Sequence, residues 1–274
     1  MKKLWIYIFC TLLVTSIKAQ EKTTLTMPRL RLGVEAGINL VSGQIDKPEM
    51  IRENRSYYYA HDYDYYCGFV NAGPGLIPYI FGLKLEYVLH KRITVASGLR
   101  FNFYKATLNS DRDYFLWKVS ETETSSNYVK INNISQANYY LGIPLEARFF
   151  LTEKDHAVRA YFIVGNSFNF LVASSKKVAF HNPEMEKYNS NVLEHIGNPN
   201  LFYLSFYGGF GLKFGKADYP FGNIELFFPT LHFENQNTNT FSWFDVLGFG
   251  IRTTLQIPVF RKHKLTYTVT QKNK

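Results

Sequence analysis

The sequence predicts an all-β protein: an eight-stranded antiparallel transmembrane β-barrel of the up-and-down type, preceded by a cleaved signal peptide. Three observations predict this fold. The chain begins with a secretory leader, its strands sort charged and apolar side chains onto opposite faces, and long and short connections alternate between the strands. The predicted organisation is a signal peptide over 1–19, a barrel domain over 20–260 and a basic tail over 261–274.

The leader has the three parts of a secretory signal. Lys2 and Lys3 precede an uncharged, mostly apolar stretch of fourteen residues, 4–17, and Ala19 supplies a small residue for cleavage. A retained helical anchor is the weaker interpretation, because a helix needs about 20 residues to cross the hydrocarbon core of a bilayer. After cleavage Cys67 is the only cysteine, so a disulfide within the chain cannot hold the fold.

Strict alternation of side-chain character predicts long β-strands. Between residues 93 and 104, for example, the odd positions are Ile, Val, Ser, Leu and Phe, while the even positions include Gly, Arg and Asn. A period of two over ten or more residues is typical of a strand with two different faces. Eight stretches show this pattern, at 31–41, 79–89, 92–105, 136–151, 157–172, 201–214, 221–231 and 243–259.

The connections between these strands differ in length by position. The first, third and fifth are long, the second, fourth and sixth are short, and the seventh, 232–242, is intermediate. Outer-membrane barrels have long extracellular loops and short periplasmic turns. We therefore expect the outer membrane of a Gram-negative cell, with the long loops outside and both termini in the periplasm.

Ten charged residues of the predicted strands are candidates for the barrel interior, and nearly all lie opposite the apolar face. A charge that faced lipid near the midplane would cost about 2–4 kcal/mol, so these side chains should point inward. The interior of an eight-stranded barrel is just wide enough for its own side chains, which favours a packed ionic network over a charge-lined pore. The ten residues are Glu35, Lys84, Glu86, Arg100, Glu146, Arg148, Arg159, Lys213, Glu225 and Arg252.

The formal charge of +9 is a local feature of the two ends. Three lysines leave with the signal and five basic residues lie in the tail, so the barrel itself is near +1. We therefore expect no nucleic-acid partner. The expected partners are outer-membrane lipid and a protein that binds through loop 42–78 or the basic tail.

Loop 42–78 contains a cluster of tyrosines, and tyrosine is enriched at recognition surfaces. We expect this cluster to contact a partner. A metal site at His61, Asp62 and Asp64 is the weaker alternative, because oxygen-ligand loops usually have more acids and a glycine. No cofactor is expected. The candidate partner-binding residues are Tyr57, Tyr58, Tyr59, Tyr63, Tyr65 and Tyr66.

Two other functions stay open on the sequence. An outer-membrane lipid-modifying enzyme could use His232 and Ser242, which flank the last loop, or His181 and His195 in the third long loop. No Gly-x-Ser-x-Gly motif accompanies them, so we expect no enzyme. The other alternative is a soluble periplasmic barrel that binds a small apolar ligand in its cavity.

Residues 140–148, YLGIPLEAR, resemble the YLxIPLxxK/R strand of the PorT-like outer-membrane β-barrel proteins. Residues 161–169 are similar to the YxxxGxxxG strand that follows in that family, with Asn169 where a second glycine is common, and 206–215 resemble its later glycine-rich strand. The resemblance implies a barrel. It also implies an accessory role in an outer-membrane assembly, since some members serve in a protein-secretion apparatus.

Pro144 lies in the middle of the predicted strand 136–151. Proline cannot donate a backbone hydrogen bond to a neighbouring strand, so a bulge is expected next to Gly142.

Overall fold

A computed structural model describes the barrel and parts of its connections. The described residues are 30–45, 48, 50–52, 70–72, 78–110, 113–121, 126–152, 156–216, 219–234 and 242–259. The predicted signal peptide, the six loop tyrosines and the basic tail 261–274 lie outside these ranges. The described residues all belong to one compact unit, 28–261.

The described residues form eleven strands and two short helices. The strands are β1 (Leu30–Ile45), β2 (Ile51–Arg52), β3 (Val70–Ala72), β4 (Tyr79–His90), β5 (Ile93–Ser110), β6 (Phe115–Glu121), β7 (Ser126–Phe150), β8 (Val158–Phe180), β9 (Phe202–Phe214), β10 (Phe221–Glu234) and β11 (Ser242–Pro258). A 3₁₀ helix covers Pro183–Tyr188, and α1 covers Asn189–Glu194.

Eight long strands close into a ring. Each pairs antiparallel with the next long strand along the chain, β11 pairs with β1, and β5 pairs with both β4 and β7. Because every step joins sequential strands, the topology is up-and-down. The predicted eight-stranded antiparallel barrel is therefore confirmed.

The connections separate the two ends of the barrel. Residues 91–92, 151–157 and 215–220 join strands at one end, which we call the short-turn end. The segments 46–78, 111–125 and 181–201 join strands at the other, the long-connection end; the last connection, 235–241, also lies there and is the shortest of that set. Successive strands run in opposite directions, so alternate connections must lie at opposite ends.

Three strands continue five or more residues beyond their predicted ends. Strand β5 extends to Ser110, β7 begins at Ser126 and β8 ends at Phe180, so the predicted bounds 92–105, 136–151 and 157–172 were too short at the long-connection end. The prediction also missed β6. Its residues Phe115, Leu116 and Trp117 are consecutively buried, so they show no period-two pattern.

The expected bulge next to Gly142 is wrong. The register of β7 with β8 runs without a shift through Gly142↔Asn169 and Pro144↔Ser167. Proline is instead accommodated on the β5 side, where the described pairing passes from Ser97↔Leu145 to Arg100↔Gly142 with no partners between them and no change of register. Bulges occur elsewhere, including one at residues 228–229 of β10.

Candidate functional site in the barrel lumen

The two faces of the barrel wall carry opposite chemistry. On β4, Phe81 and Leu83 point outward and are 60% and 62% exposed, whereas Lys84 and Glu86 point inward and are each 1% exposed. The alternation of strand side chains produces this sorting. Charge is thereby held inside the barrel while the outer surface is apolar.

All ten predicted lumen residues are buried, and every long strand contributes at least one of them. Eight of the ten form a connected ionic cluster near the middle of the barrel. The other two, Arg159 and Lys213, face each other across β8 and β9, two residues nearer the short-turn end than Glu225. Arg159 donates to the Lys91 carbonyl oxygen (3.0 Å), and the Lys213 ammonium lies 4.7 Å from the centre of the Phe221 ring.

Glu146 on β7 is the hub of the cluster. Its Oε1 accepts hydrogen bonds from Arg252 Nη1 (2.5 Å) and Arg100 Nη2 (2.9 Å), and its Oε2 forms an ion pair with Lys84 Nζ. The Tyr207 hydroxyl donates a further hydrogen bond to Oε1, at 2.6 Å. Strands β4, β5, β9 and β11 are thus joined to β7 by a single carboxylate.

Glu35 on β1 binds the same three cations. Arg100 Nε donates to its Oε1 at 2.7 Å, and Lys84 Nζ and Arg252 Nη1 lie 3.4 and 3.3 Å from its Oε2. Each cation therefore lies between two carboxylates, which balances charges that would otherwise repel.

Arg148 links the remaining two glutamates. Its Nη2 donates to Glu225 Oε1 at 2.5 Å, and its Nη1 pairs with Glu86 Oε2. Glu225 also accepts from Arg252 Nε at 2.7 Å, which connects this pair to the Glu146 hub. Arg31 Nη1 donates to Glu86 Oε1 at 2.6 Å.

Sequence reasoning missed Arg31 and two tyrosines of this cluster. The Tyr161 hydroxyl donates to Glu225 Oε1 at 2.8 Å, and Tyr207 receives a hydrogen bond from Arg100 Nη1 at 3.3 Å. With these tyrosines, all eight long strands are joined in one hydrogen-bonded network. The signal was available, because each missed residue shares the inward parity of a predicted charge on its own strand: Arg31 with Glu35, Tyr161 with Arg159 and Tyr207 with Lys213.

The energetics favour a structural role for this network. Burying an ion costs several kcal/mol unless close partners and hydrogen bonds compensate. Here each of the four glutamates contacts at least two of five cationic side chains. Removing one partner would leave the others with less compensation, so the network makes the strand register interdependent.

Apolar and aromatic side chains fill the long-connection end. The rings of Tyr104 and Tyr140 stack with centres 5.8 Å apart, and the Tyr203 ring packs edge-on against Tyr140 at 4.8 Å. Above them, Leu108, Trp117 and neighbouring residues of the extended strands pack with α1 into one buried core. The described part of the lumen is therefore occupied at both levels.

The histidines considered for catalysis are separated. His232 is 4% exposed, and its Nδ1 lies 3.2 Å from Ser205 Oγ on β9. His181 and His195 lie in the connection between β8 and β9 and bond to Asn132 Oδ1 and the Asn191 carbonyl oxygen. Among the described residues, no three His, Cys, Asp or Glu side chains are grouped as a metal site would require.

Comparison with solved structures shows a likeness to several outer membrane proteins, of which three are described here. No protein-family model and no curated protein matches the chain. The outer membrane protein OprG of Pseudomonas aeruginosa is similar at 10% identity and a TM-score of 0.44, over 84% of this chain and 97% of that one. The N-terminal β-barrel domain of OprF from the same species has 10% identity and a TM-score of 0.28, covering 83% and 97%. Outer membrane protein W of E. coli has 12% identity and a TM-score of 0.31, covering 82% and 97%.

At these identities and TM-scores, the likenesses carry no argument about the function of this chain. We therefore infer the function from the geometry of the barrel itself. Across the described ranges, no helix is both long enough and apolar enough to cross a bilayer.

Proposed function

We propose that this chain is an outer-membrane β-barrel protein with a structural or protein-interaction role, and that it is neither a pore nor an enzyme. The filled lumen carries the proposal. A charged network joins all eight long strands at mid-barrel, and an aromatic and aliphatic core occupies the long-connection end. A lumen of this kind stiffens the barrel and leaves its ends and loops for interaction.

The outer face supports the membrane location. Large apolar side chains such as Phe81, Leu83 and Phe210 are about 60% exposed around the wall. Soluble monomers rarely expose contiguous apolar patches beyond a few hundred Å². Fractionation of cells that express the full chain, followed by flotation of the membranes, tests the location. We expect recovery with the outer membrane; recovery in the soluble periplasmic fraction would support the apolar-ligand barrel instead.

The resemblance of residues 140–148 to the PorT-like strand supports a more specific role, as an accessory of an outer-membrane assembly such as a secretion apparatus. The partner would bind through the tyrosine cluster of loop 42–78 or through the basic tail. In this proposal, the short turns and both termini face the periplasm, as is usual for bacterial barrels.

Co-purification from gently solubilised membranes tests the accessory role. We expect specific proteins to co-purify with the full chain and to be lost when residues 57–66 are deleted, while the barrel still assembles. Loss of secreted proteins after gene deletion is the matching cellular result. Unchanged partner recovery after deletion of both 57–66 and 261–274 would contradict the interaction role.

The Ser205–His232 contact is the one observation that favours the lipid-modifying alternative, because a hydrogen-bonded serine and histidine can form a nucleophile–base pair. Both side chains are buried inside the barrel wall, which argues against access by a lipid. Replacing His232 with Ala and analysing lipid A by mass spectrometry distinguishes the structural role from the lipid-modifying role. A changed acylation pattern would support the enzyme, and we expect no change.

A further inference from the structure

The apolar band on the outer face of β5 ends at a defined level. Its outward side chains run from Ile93 to Phe103, and Ser97 is the polar one among them. At about 3.4 Å per residue and a tilt of about 40°, this stretch spans about 26 Å along the barrel axis. Membrane barrels have an outward apolar band about 25 Å tall, so Phe103 lies at the edge of such a band.

A row of aromatic rings lies at this edge. Cross-strand pairing places Tyr79, Phe103 and Tyr139 side by side on β4, β5 and β7. Their ring centres are 6.3 Å apart between Tyr79 and Phe103 and 5.0 Å apart between Phe103 and Tyr139. Aromatic side chains collect where a membrane meets water, so this row marks the boundary on the side of the long connections.

Two lysines lie just beyond the aromatic row and point outward. Lys105 is the next outward residue after Phe103, and Lys177 lies four residues beyond Ala173, the partner of Tyr139 on β8. Both lysines are exposed. They lie about 5 Å and about 10 Å above the row along the barrel axis. The headgroup region is about 5–8 Å thick on each side of a bilayer, and flexible lysine stems reach into it.

The two lysines lie on one patch of the wall. Lys105 pairs with Ala137, which pairs with Ser175, and Lys177 is two residues further along β8. With strands about 4.8 Å apart, the two lysine Cα atoms are about 12 Å apart. The outward side chains between the two lysines are small: Ala137, Ser175, Ser135 and Thr107. No bulky group therefore separates the two ammonium groups.

The charge of this patch is positive. The sequences of β5, β7 and β8 contain a single carboxylate, Glu146, and its side chain is buried in the lumen. The outward faces of these three strands therefore present lysine without an acidic neighbour on the same strands. A positive surface at headgroup level attracts anionic lipids.

We propose that Lys105 and Lys177 bind the phosphate of an anionic lipid headgroup in the leaflet on the side of the long connections. The two ammonium groups approach one phosphate from either side, while the aromatic row packs against the first part of the acyl chains. A phosphate monoester fits best, because it carries more than one negative charge at neutral pH. This inference rests on the proposed membrane location and adds a headgroup preference to it.

Photolabelling in a defined bilayer tests the inference. Full-length protein is reconstituted into phosphatidylcholine vesicles that contain a trace of a photoreactive lipid, either phosphatidic acid or phosphatidylcholine. Both probes carry the reactive group at the same position, near the glycerol, and labelled peptides are mapped by mass spectrometry. Each lysine near the surface contributes about 1 kcal/mol to anionic-lipid binding, so we expect phosphatidic acid to label 103–110 and 171–180 roughly tenfold more than phosphatidylcholine. The preference should fall as salt is raised.

Three double variants identify the cause of the preference. Lys105→Gln with Lys177→Gln removes both charges and should make the two probes label equally. Lys105→Arg with Lys177→Arg keeps the charges and should retain the preference. Lys187→Gln with Lys216→Gln is the matched control, because it removes two exposed lysines elsewhere, one in the connection after β8 and one at the short-turn end. Its net charge equals that of the first variant, and the preference should remain.

Each outcome supports or overturns a separate claim. Equal labelling of 103–110 and 171–180 by the two probes in the unchanged protein overturns the inference. A preference that persists in Lys105→Gln with Lys177→Gln, or one that disappears in the matched control, also overturns it. Failure of both probes to label any strand would contradict the membrane location itself, which is a different failure.

Discussion

From the middle of the barrel toward the short turns, the lumen contains the buried glutamates, arginines and lysines, whereas toward the long connections it contains tyrosine, tryptophan, aliphatic and uncharged polar side chains. The ionic region is held by directional contacts between strands that are far apart in the sequence, such as Glu35 and Arg100. The apolar region is held by packing of neighbouring strand extensions. This difference predicts that damage to the ionic region spreads around the ring, while damage to the apolar region stays local.

The largest expected effect is that of Glu146→Ala. Removing this hub leaves Lys84, Arg100 and Arg252 with less compensation in a buried site. Breaking a buried ionic contact in this way costs about 3–5 kcal/mol. Equilibrium unfolding in lipid vesicles measures the loss, with the exposed Glu184→Ala as control. A loss below about 1 kcal/mol would show that the network does not hold the strands together.

Leu108→Ala tests the apolar region. Leu108 is fully buried in the core at the long-connection end, so the substitution should cost about 2–5 kcal/mol. Hydrogen exchange should rise in β6 and in the extensions of β5 and β7, while the ionic part of the barrel stays protected. Uniform loss of protection around the barrel would break the proposed distinction between the two regions.

Leu83→Arg tests the outer face at the level of the ionic cluster. Leu83 lies next to the inward Lys84 but points outward and is 62% exposed. An arginine there should destabilise the membrane-inserted barrel by about 2–4 kcal/mol. Leu83→Met is the control and should cost less than about 1.5 kcal/mol. An arginine as well tolerated as methionine would mean that this face does not contact lipid.

Tyr207→Phe has the smallest expected effect. The substitution keeps the ring but removes the hydroxyl between Arg100 and Glu146. Hydrogen bonds to charged groups contribute about 1.5–3 kcal/mol, so unfolding should report a loss in that range. The exposed Tyr219→Phe provides the control, and equal losses in both variants would show that the hydroxyl is not part of the network.

Sequence reasoning was strongest where side chains alternate strictly. The parity of residues such as Lys84, Glu86 and Arg252 is enough to place them inside a barrel, because a one-residue slip would turn all of them toward lipid. The specific ion pairs could not be predicted, since they depend on the register and closure of strands distant in sequence. Arg31 was overlooked at the first position of its strand, although it shares the parity of Glu35.

The buried core at the long-connection end could not be predicted from the alternation of side chains. The buried run Phe115–Trp117 has no period of two, because a core covers both of its faces. Asn166 could have been noticed, since it is the polar exception among the outward residues Phe162, Val164, Phe168 and Phe170. Its cross-strand neighbours, Leu145 and Phe206, could not be predicted without the register of the sheet.

The most direct test of a filled lumen is ion conductance through the full-length protein in a planar bilayer, with a porin as positive control. The packed ionic network and the apolar core predict no step-like conductance after insertion has been verified by flotation. Reproducible ion-conducting steps from the unchanged protein would show that the lumen is not filled.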